Sequence, residues 1–137
     1  MFFYAYKMIS FDVNESLNYL QKAANKGHIE SINYLINLYK EGKFVPQNNK
    51  EIVKYVKMAA DFGSVDHMYL YSIKCLNGDD EIPPNEEEAF KYMKMAADLG
   101  SAEAMNKCGR LFEKGVGTSV NISEACHYYE MAIENGS

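Results

Sequence analysis

The sequence is short of positive charge and has no long apolar run. Its 137 residues contain 14 lysines and arginines against 19 aspartates and glutamates, which gives a formal net charge of −5. Nucleic-acid-binding proteins normally carry a basic patch, and anionic membranes attract basic segments, so this charge argues against both partners. No apolar stretch approaches the roughly 18 residues of a transmembrane helix. The aromatic start MFFYAYKMISF lacks a basic start, a clean apolar centre and a small-residue cleavage site, so it is a poor signal peptide.

Cysteine is also scarce. Cys75, Cys108 and Cys126 are odd in number, so at least one thiol cannot pair within the chain, and none belongs to a CxxC sequence. We interpret them as reduced, buried thiols, which predicts a cytoplasmic location. The alternative is the lumen of the secretory pathway, because three sequences match the glycosylation acceptor pattern Asn-x-Ser. These sequences begin at Asn14, Asn121 and Asn135.

Motifs for catalysis and for metal or cofactor binding are lacking as well. The three histidines are scattered, and none belongs to an HExxH sequence. Cys126 and His127 are neighbours in sequence and point in different directions on a helix, so we do not expect a Cys–His nucleophile pair. No catalytic residue, metal site or cofactor is predicted.

What the sequence does contain is a repeat. KYVKMAADFGS at residues 54–64 recurs as KYMKMAADLGS at residues 91–101, 37 positions later. Glycines mark the same period, because one set is spaced by 36, 37 and 36 residues and a second set follows the first by 15 residues. The first set is Gly27, Gly63, Gly100 and Gly136, and the second set is Gly42, Gly78 and Gly115. Self-similarity at this period predicts stacked supersecondary units.

Each unit is predicted to contain two helices, A and B. Helix A follows a glycine of the first set and ends at a glycine of the second set, where a left-handed residue can end a helix. Helix B begins at an Asx residue that is followed three positions later by glutamate, which is the pattern of a capping box. This pattern starts at Asp12, Asn48, Asn85 and Asn121. We expect a single repeat domain over residues 1–137, with a partial repeat at about 2–27 and repeats at about 28–63, 64–100 and 101–136.

Apolar residues recur at three- and four-residue spacing on both helices, as expected for one buried face. The predicted core of helix A is Ala104, Met105, Cys108, Gly109 and Phe112, with Ser31, Ile32, Leu35, Ile36 and Tyr39 at the same positions of an earlier unit. The predicted core of helix B is Ala89, Tyr92, Met93, Ala96 and Ala97, which repeat Ile52, Tyr55, Val56, Ala59 and Ala60. By the same register we expect Cys126 in the core and His127 on a solvated flank.

These units resemble the Sel1-like repeat (SLR) family, a relative of the tetratricopeptide repeats. The resemblance is carried by KMAADFG at 57–63, KMAADLG at 94–100, and Ala104, Gly109, Phe112, Gly115-Val-Gly117, Ala125, Tyr128 and Tyr129 in the last unit. It implies an all-α fold, a right-handed α–α superhelix (solenoid) of about seven or eight helices in helix-turn-helix repeats. SLR proteins are generally interaction scaffolds, so the resemblance also implies a non-enzymatic scaffold or adaptor with a protein or peptide partner.

The chain departs from the family pattern at helix A, where Ile36 and Ser72 replace the usual glycine. A secreted, cysteine-rich branch of the family binds β-lactam compounds and clamps each unit with a disulfide. That branch would place cysteines near Ala60 with Met68 and near Ala97 with Met105, and this sequence has none there. A β-lactam-binding hydrolase is therefore the less favoured alternative. A structural spacer or assembly segment of a larger repeat protein is the other.

The partner-binding surface is expected on the concave side of the superhelix, lined mainly by the A helices. By the resemblance to tetratricopeptide repeats, its residues flank the core stripe of helix A. The predicted site residues are Asp66, Tyr69, Ile73 and Leu76, together with Asn33, Asn37, Asn106 and Arg110. Tyr69, Ile73 and Leu76 form an apolar cluster with a polar rim, which is typical of a protein-binding patch. The alternative is that helix A of a neighbouring unit buries the cluster.

The ends of the array carry a further prediction. Repeat arrays need polar capping units. The first unit is instead aromatic-rich, with Phe2, Phe3, Tyr4 and Tyr6, and only a few residues follow the last predicted helix. We therefore expect uncovered apolar surface at both ends. Either the chain is a piece of a longer array, or the ends pair with another molecule, self-association included.

Overall fold

The structure, a computed structural model, describes residues 13–79 and 81–136, and these residues form seven α-helices and no β-strand. The helices are α1 Val13–Asn25, α2 Ile29–Glu41, α3 Asn49–Asp61, α4 Val65–Asn77, α5 Glu86–Asp98, α6 Ala102–Lys114 and α7 Ile122–Glu134. Helices α2, α4 and α6 are the predicted A helices, and the other four are the predicted B helices. The all-α prediction is confirmed. Within the described ranges, none of the helices combines the length and the apolar character needed to span a membrane.

The chain divides into two compact units, residues 1–62 and 63–137. In the first unit, α1 packs on α2 and α2 packs on α3. Its buried apolar side chains include Leu20, Ala24, Ile32, Leu35, Tyr55, Val56, Ala59 and Ala60. The rings of Tyr39 and Tyr55 stack with their centroids 6.2 Å apart. The aromatic residues predicted at the start of this unit, and the Asp12 cap, lie outside the described residues.

In the second unit, α4 packs on α5, α5 on α6 and α6 on α7. The predicted stripes are its core, which includes Met68, Ala89, Tyr92, Met93, Ala96, Ala97, Ala104, Met105, Cys108, Phe112, Tyr128 and Ala132. Alanines at fixed positions let neighbouring helices approach closely, and aromatic rings fill the wider gaps. The ring of Phe112, for example, meets that of Phe90 edge to face at 5.1 Å and stacks on that of Tyr128 at 5.7 Å.

The predicted asparagine caps begin three of the B helices. The side-chain Oδ1 of Asn48, Asn85 and Asn121 accepts a hydrogen bond from the backbone N–H three residues later, at 3.2, 3.1 and 3.0 Å. Each residue has extended backbone torsions, as an N-cap requires. One repeated local pattern therefore fixes where α3, α5 and α7 start.

The A helices are capped by a different set of residues that the sequence patterns did not single out. Ser64 Oγ accepts from the backbone N–H of His67, and Ser101 Oγ accepts from that of Ala104. At α2 histidine and serine exchange positions. His28 is the capping residue there, and its Nδ1 accepts from the backbone N–H of Ser31. In both Ser–His pairs the hydroxyl oxygen and Nδ1 are 2.6 Å apart. Histidine thus takes part in capping at two of the three A helices.

The glycines of the second set end the A helices as predicted. Gly42 and Gly115 adopt left-handed torsions, with φ of 66° and 71°, and their N–H groups donate to the carbonyl oxygens of Leu38 and Leu111. Another residue at these positions would be strained. Between α4 and α5 the chain turns differently. There Asp79 Oδ1 accepts from the N–H groups of Glu81 and Ile82 at 2.8 and 2.7 Å.

One core position of helix A changes its chemistry from repeat to repeat. At Gly109 of α6, a Cβ atom would lie 2.9 Å from the ring of Tyr129 of α7, so glycine makes room for that ring. At the same register of α4 stands Ser72, which is fully buried and donates to the carbonyl oxygen of Ala89 at 2.5 Å. Ile36 occupies this position in α2 and is also buried. The interhelical packing is therefore specific to each repeat.

The prediction that Cys126 lies in the core is wrong, because its side chain is exposed. Its counterpart Phe90 on α5 contacts Phe112 of the following helix, α6. Among the described residues no later helix packs against α7, so the same register position stays uncovered there. The solvated position expected for His127 is confirmed.

Candidate partner-binding surface

The predicted apolar cluster lies on one side of α4 and is partly open to solvent. The side chains of Tyr69, Ile73 and Leu76 are all intermediate in exposure, so they are neither core residues nor fully exposed ones. Leu70 lies next to them, three residues before Ile73, and is 42% exposed. We call these four residues the α4 patch.

Leu70 is a residue that the sequence patterns missed. Its spacing of three residues from Ile73 and four from Asp66 was the signal that could have found it, because residues so spaced share a helix side. With Leu70, the apolar surface widens around the helix beyond the stripe that Tyr69 and Leu76 define.

The apolar character of the α4 patch is not shared by the other A helix of the same unit. At the positions of Tyr69, Ile73 and Leu76, helix α6 carries Asn106, Arg110 and Glu113. Arg110 and Glu113 are exposed and Asn106 is intermediate. Within this unit, the apolar character of this register is therefore particular to α4.

Other side chains of α4 hold this helix against α5. The hydroxyl of Tyr71 donates to Glu88 Oε2 at 3.1 Å, and its ring meets that of Tyr92 edge to face at 4.7 Å. Burial raises the pKa of Tyr71 above its ordinary value, so the hydroxyl remains a donor. The buried bond from Ser72 to Ala89 adds a second link. The α4 patch is thus presented by a helix whose orientation is fixed, which lowers the entropy lost when a partner binds.

The polar members of the predicted site lie where solvent reaches them. Asp66 is exposed at the start of α4. In the first unit, Asn33 and Asn37 are exposed on α2, four residues apart and hence on one helix side. Each side chain therefore lies where a partner could reach it, within its own unit.

The titratable side chain of His67 lies in the N-terminal cap of α4. Burial lowers the pKa of His67, so its imidazole is neutral at neutral pH, and the backbone N–H of His67 donates to Ser64 Oγ. Burial also raises the pKa of the Cys108 thiol to about 12, which keeps this sulfur unreactive. In the described part of the chain, no disulfide joins the three cysteines and no group of three or more His, Cys, Asp or Glu residues could hold a metal ion.

The described helices are equal in length, their caps recur at one period, and within each unit each helix packs on the next. These features define the α-helical repeat class of protein. A family model of the Sel1 repeat matches residues 2–28, 37–64, 68–101 and 102–137. The chain belongs to the Sel1 repeat family, whose members are generally non-catalytic scaffolds for protein interactions. None of the curated protein sequences matches it.

Three solved structures share this helical repeat fold. The Sel1 repeat protein from Oxalobacter formigenes is 26% identical, with a TM-score of 0.74 over 88% of this chain and 90% of that one. The protective antigen c5321, present in uropathogenic Escherichia coli strains and displaying an SLR fold, is 23% identical with a TM-score of 0.72; the match covers 92% of this chain and 27% of that one. The Helicobacter pylori cysteine rich protein B is 20% identical with a TM-score of 0.63, over 92% of this chain and 90% of that one. These likenesses establish the solenoid type of fold.

Proposed function

We propose that the protein is a non-enzymatic scaffold that binds a partner protein or peptide through its A helices, with the α4 patch as the main contact. The observation that carries this proposal is the partly exposed apolar side of α4, at a register where α6 is polar. Partly exposed apolar clusters with a polar rim are characteristic of protein-binding surfaces. Asp66, Asn106 and Arg110 supply polar groups on the same two helices.

The family supports the choice of the A helices. Helical repeat proteins use the concave side of the stack, lined by one helix of each pair, to bind extended partners. Asn33 and Asn37 on α2 are the corresponding contacts of the first unit. On this proposal Tyr69 supplies a large, rigid contact area, and Arg110 pairs with an acidic group of the partner.

Capture with matched variants tests the proposal. The chain and its Tyr69→Ala/Ile73→Ala variant are used as bait, and bound proteins are identified by mass spectrometry. The control is Leu99→Ala/Val120→Ala, which removes two exposed apolar side chains elsewhere in the second unit. We expect specific partners to be lost from the Tyr69 and Ile73 variant and kept by the control, with unchanged circular dichroism for both. Equal capture by all three proteins would rule out the α4 patch as the contact.

The second candidate function is a spacer or assembly segment within a larger repeat protein. The observation that favours it is the match to c5321, in which this chain corresponds to 27% of the whole. A spacer needs no exposed apolar patch, so it predicts that Tyr69→Ala/Ile73→Ala changes no partner.

A β-lactam-binding hydrolase is the least supported function. The positions at which the cysteine-rich branch would place its disulfides carry the buried side chains Ala60, Met68, Ala97 and Met105. Turnover of a chromogenic β-lactam by the purified protein would support this alternative.

The two buried cysteines, Cys75 and Cys108, support our proposal of a reducing, cytoplasmic location.

A further inference from the structure

Helix α7 carries a line of exposed apolar side chains. Ile122 and Ile133 are 57% and 73% exposed, and Cys126 lies between them and is exposed as well. Separations of four and seven residues place the three on one side of a helix. We call them the α7 stripe. It lies on a B helix, so it is a different surface from the α4 patch, and the inference does not depend on the function proposed for that patch.

The preceding B helix, α5, shows what packs against the corresponding side of a B helix. The counterparts of Cys126 and Ile133 on α5 are Phe90 and Ala97. Phe90 meets the ring of Phe112 of the following A helix at 5.1 Å, and Ala97 is fully buried. At the start of α5, the loop after α6 approaches so closely that a Cβ at Gly117 would overlap the carbonyl oxygen of Glu86. Glu86 is the counterpart of Ile122. The surface that corresponds to the α7 stripe is therefore occupied, within this same unit, by an amphipathic helix with an aromatic ring.

The charges of α7 indicate which kind of partner helix fits the α7 stripe. Helix α5 carries Lys91 and Lys94, whereas the same positions of α7 carry His127 and Glu130, and α7 has three glutamates and no lysine or arginine. Glu130 is exposed and lies beside the stripe, four residues after Cys126 and three before Ile133. A second copy that docked α7 against α7 would bring two acidic helices together, which is unfavourable. A helix with a basic residue beside its ring complements this surface.

We propose that the α7 stripe binds an amphipathic helix of a partner protein, of the same pattern as α6, with an aromatic side chain against Cys126 and Ile133 and a lysine or arginine facing Glu130. Burial of the ring and of the exposed isoleucines supplies the affinity, and the charge pair supplies selectivity. The end of the partner helix would approach Ile122, as the loop at Gly117 approaches the backbone of Glu86.

The test uses a helical peptide made from this chain's own sequence. The probe is residues 101–117 with Glu113→Lys, stapled because isolated helices of this length are marginal in water, and labelled with a fluorophore. Binding to the full chain is measured by fluorescence polarisation. The protein variants are Ile133→Ser, Glu130→Lys and the control Leu99→Ser, all at exposed positions, so that folding is preserved. The control peptide carries Phe112→Ala in addition.

We expect saturable binding by the wild type, a Kd at least about tenfold higher for Ile133→Ser, and a similar loss for the peptide without the aromatic ring. Glu130→Lys should weaken binding most at low salt, because the charge pair is screened by ions. The Leu99→Ser control should match the wild type.

Three results would overturn the proposal. The first is no saturable binding at peptide concentrations up to about 1 mM. The second is binding that neither Ile133→Ser nor Glu130→Lys changes. The third is a concentration-dependent dimer in light scattering that Ile133→Ser abolishes, because the stripe would then be an interface between two copies of this chain.

Discussion

Tyr128 of α7 donates its hydroxyl hydrogen to Asp98 Oδ1 of α5 over 2.8 Å, and thereby bonds one B helix to the preceding one. The other oxygen of Asp98 accepts from Lys94 Nζ at 2.9 Å. The ring of Tyr128 is buried and stacks on Phe112 of the intervening A helix. Asp98 is therefore a junction at which two successive helix pairs are joined.

Removing the Tyr128 hydroxyl should weaken this junction. Tyr128→Phe keeps the ring and deletes one hydrogen bond to a carboxylate, so we expect the free energy of unfolding to fall by about 1–2 kcal/mol. Urea unfolding followed by circular dichroism measures the change. Tyr19→Phe, at an exposed ring, is the control and should change stability by less than about 0.5 kcal/mol. Equal effects of the two variants would show that the bond to Asp98 contributes nothing to stability.

Alkaline pH should destabilise the fold through the same residue. Burial, and after it the bond to Asp98, raises the pKa of Tyr128 from 10.0 to about 12. The folded state therefore holds this proton more tightly than the unfolded state, so its contribution to stability is complete below pH 10 and is lost as the pH rises toward 12.

Urea unfolding across this pH range measures that loss. Burial raises the pKa of Tyr71 in the same direction, so the wild type should lose stability over the whole range. Tyr128→Phe should show a smaller loss than the wild type. Parallel curves for the two proteins would contradict the assignment to Tyr128.

The fit between Gly109 and Tyr129 should be measurable as a coupling energy. Gly109→Ser puts a side chain where the Tyr129 ring lies 2.9 Å from the Cβ position, and overpacking of this kind costs about 1–3 kcal/mol. The double variant Gly109→Ser/Tyr129→Met copies Ser72 and Met93 of the preceding repeat and should recover most of the loss. Tyr129→Met alone closes the double-mutant cycle. Strictly additive effects would mean that the two positions do not constrain each other.

The three thiols should react at very different rates. Cys126 is exposed, whereas Cys75 and Cys108 are buried and burial raises the pKa of Cys108 to about 12. Only the thiolate attacks a disulfide reagent, so we expect one fast thiol in the native protein and two more after unfolding. Titration with an aromatic disulfide reagent checks this, and Cys126→Ser should remove the fast phase. A fast phase that survives in Cys126→Ser would contradict the burial of the other two thiols.

The repeat units were readable from the sequence because their signals are local. A helix start at Asn85 depends on one side chain and an N–H three residues later, and a helix end at Gly115 depends on one backbone torsion. The core stripes follow from a period of 3.6 residues, which any window of the sequence shows. These features do not require knowledge of what lies beyond the helix itself.

The features that sequence reasoning missed depend on neighbours. Cys126 has the register of a core residue, yet its exposure depends on whether another helix covers α7. The room for the Tyr129 ring at Gly109 depends on the distance between two helices. Leu70 is exposed although it is apolar, and the residue type alone does not reveal which side of α4 packs against its neighbours. The predicted site residues on α2, α4 and α6 stay predictions until a partner is found.

The most direct test of the scaffold function is site-specific photo-crosslinking in cells that produce the protein. A photoreactive phenylalanine analogue is introduced at Leu70, at the edge of the α4 patch, and in a control protein at Lys91, an exposed position on α5. We predict that Leu70 yields a discrete crosslinked partner that Lys91 does not, and that Tyr69→Ala/Ile73→Ala removes this product. The same crosslinked products from both positions, or products that the double substitution leaves unchanged, would contradict binding through the α4 patch.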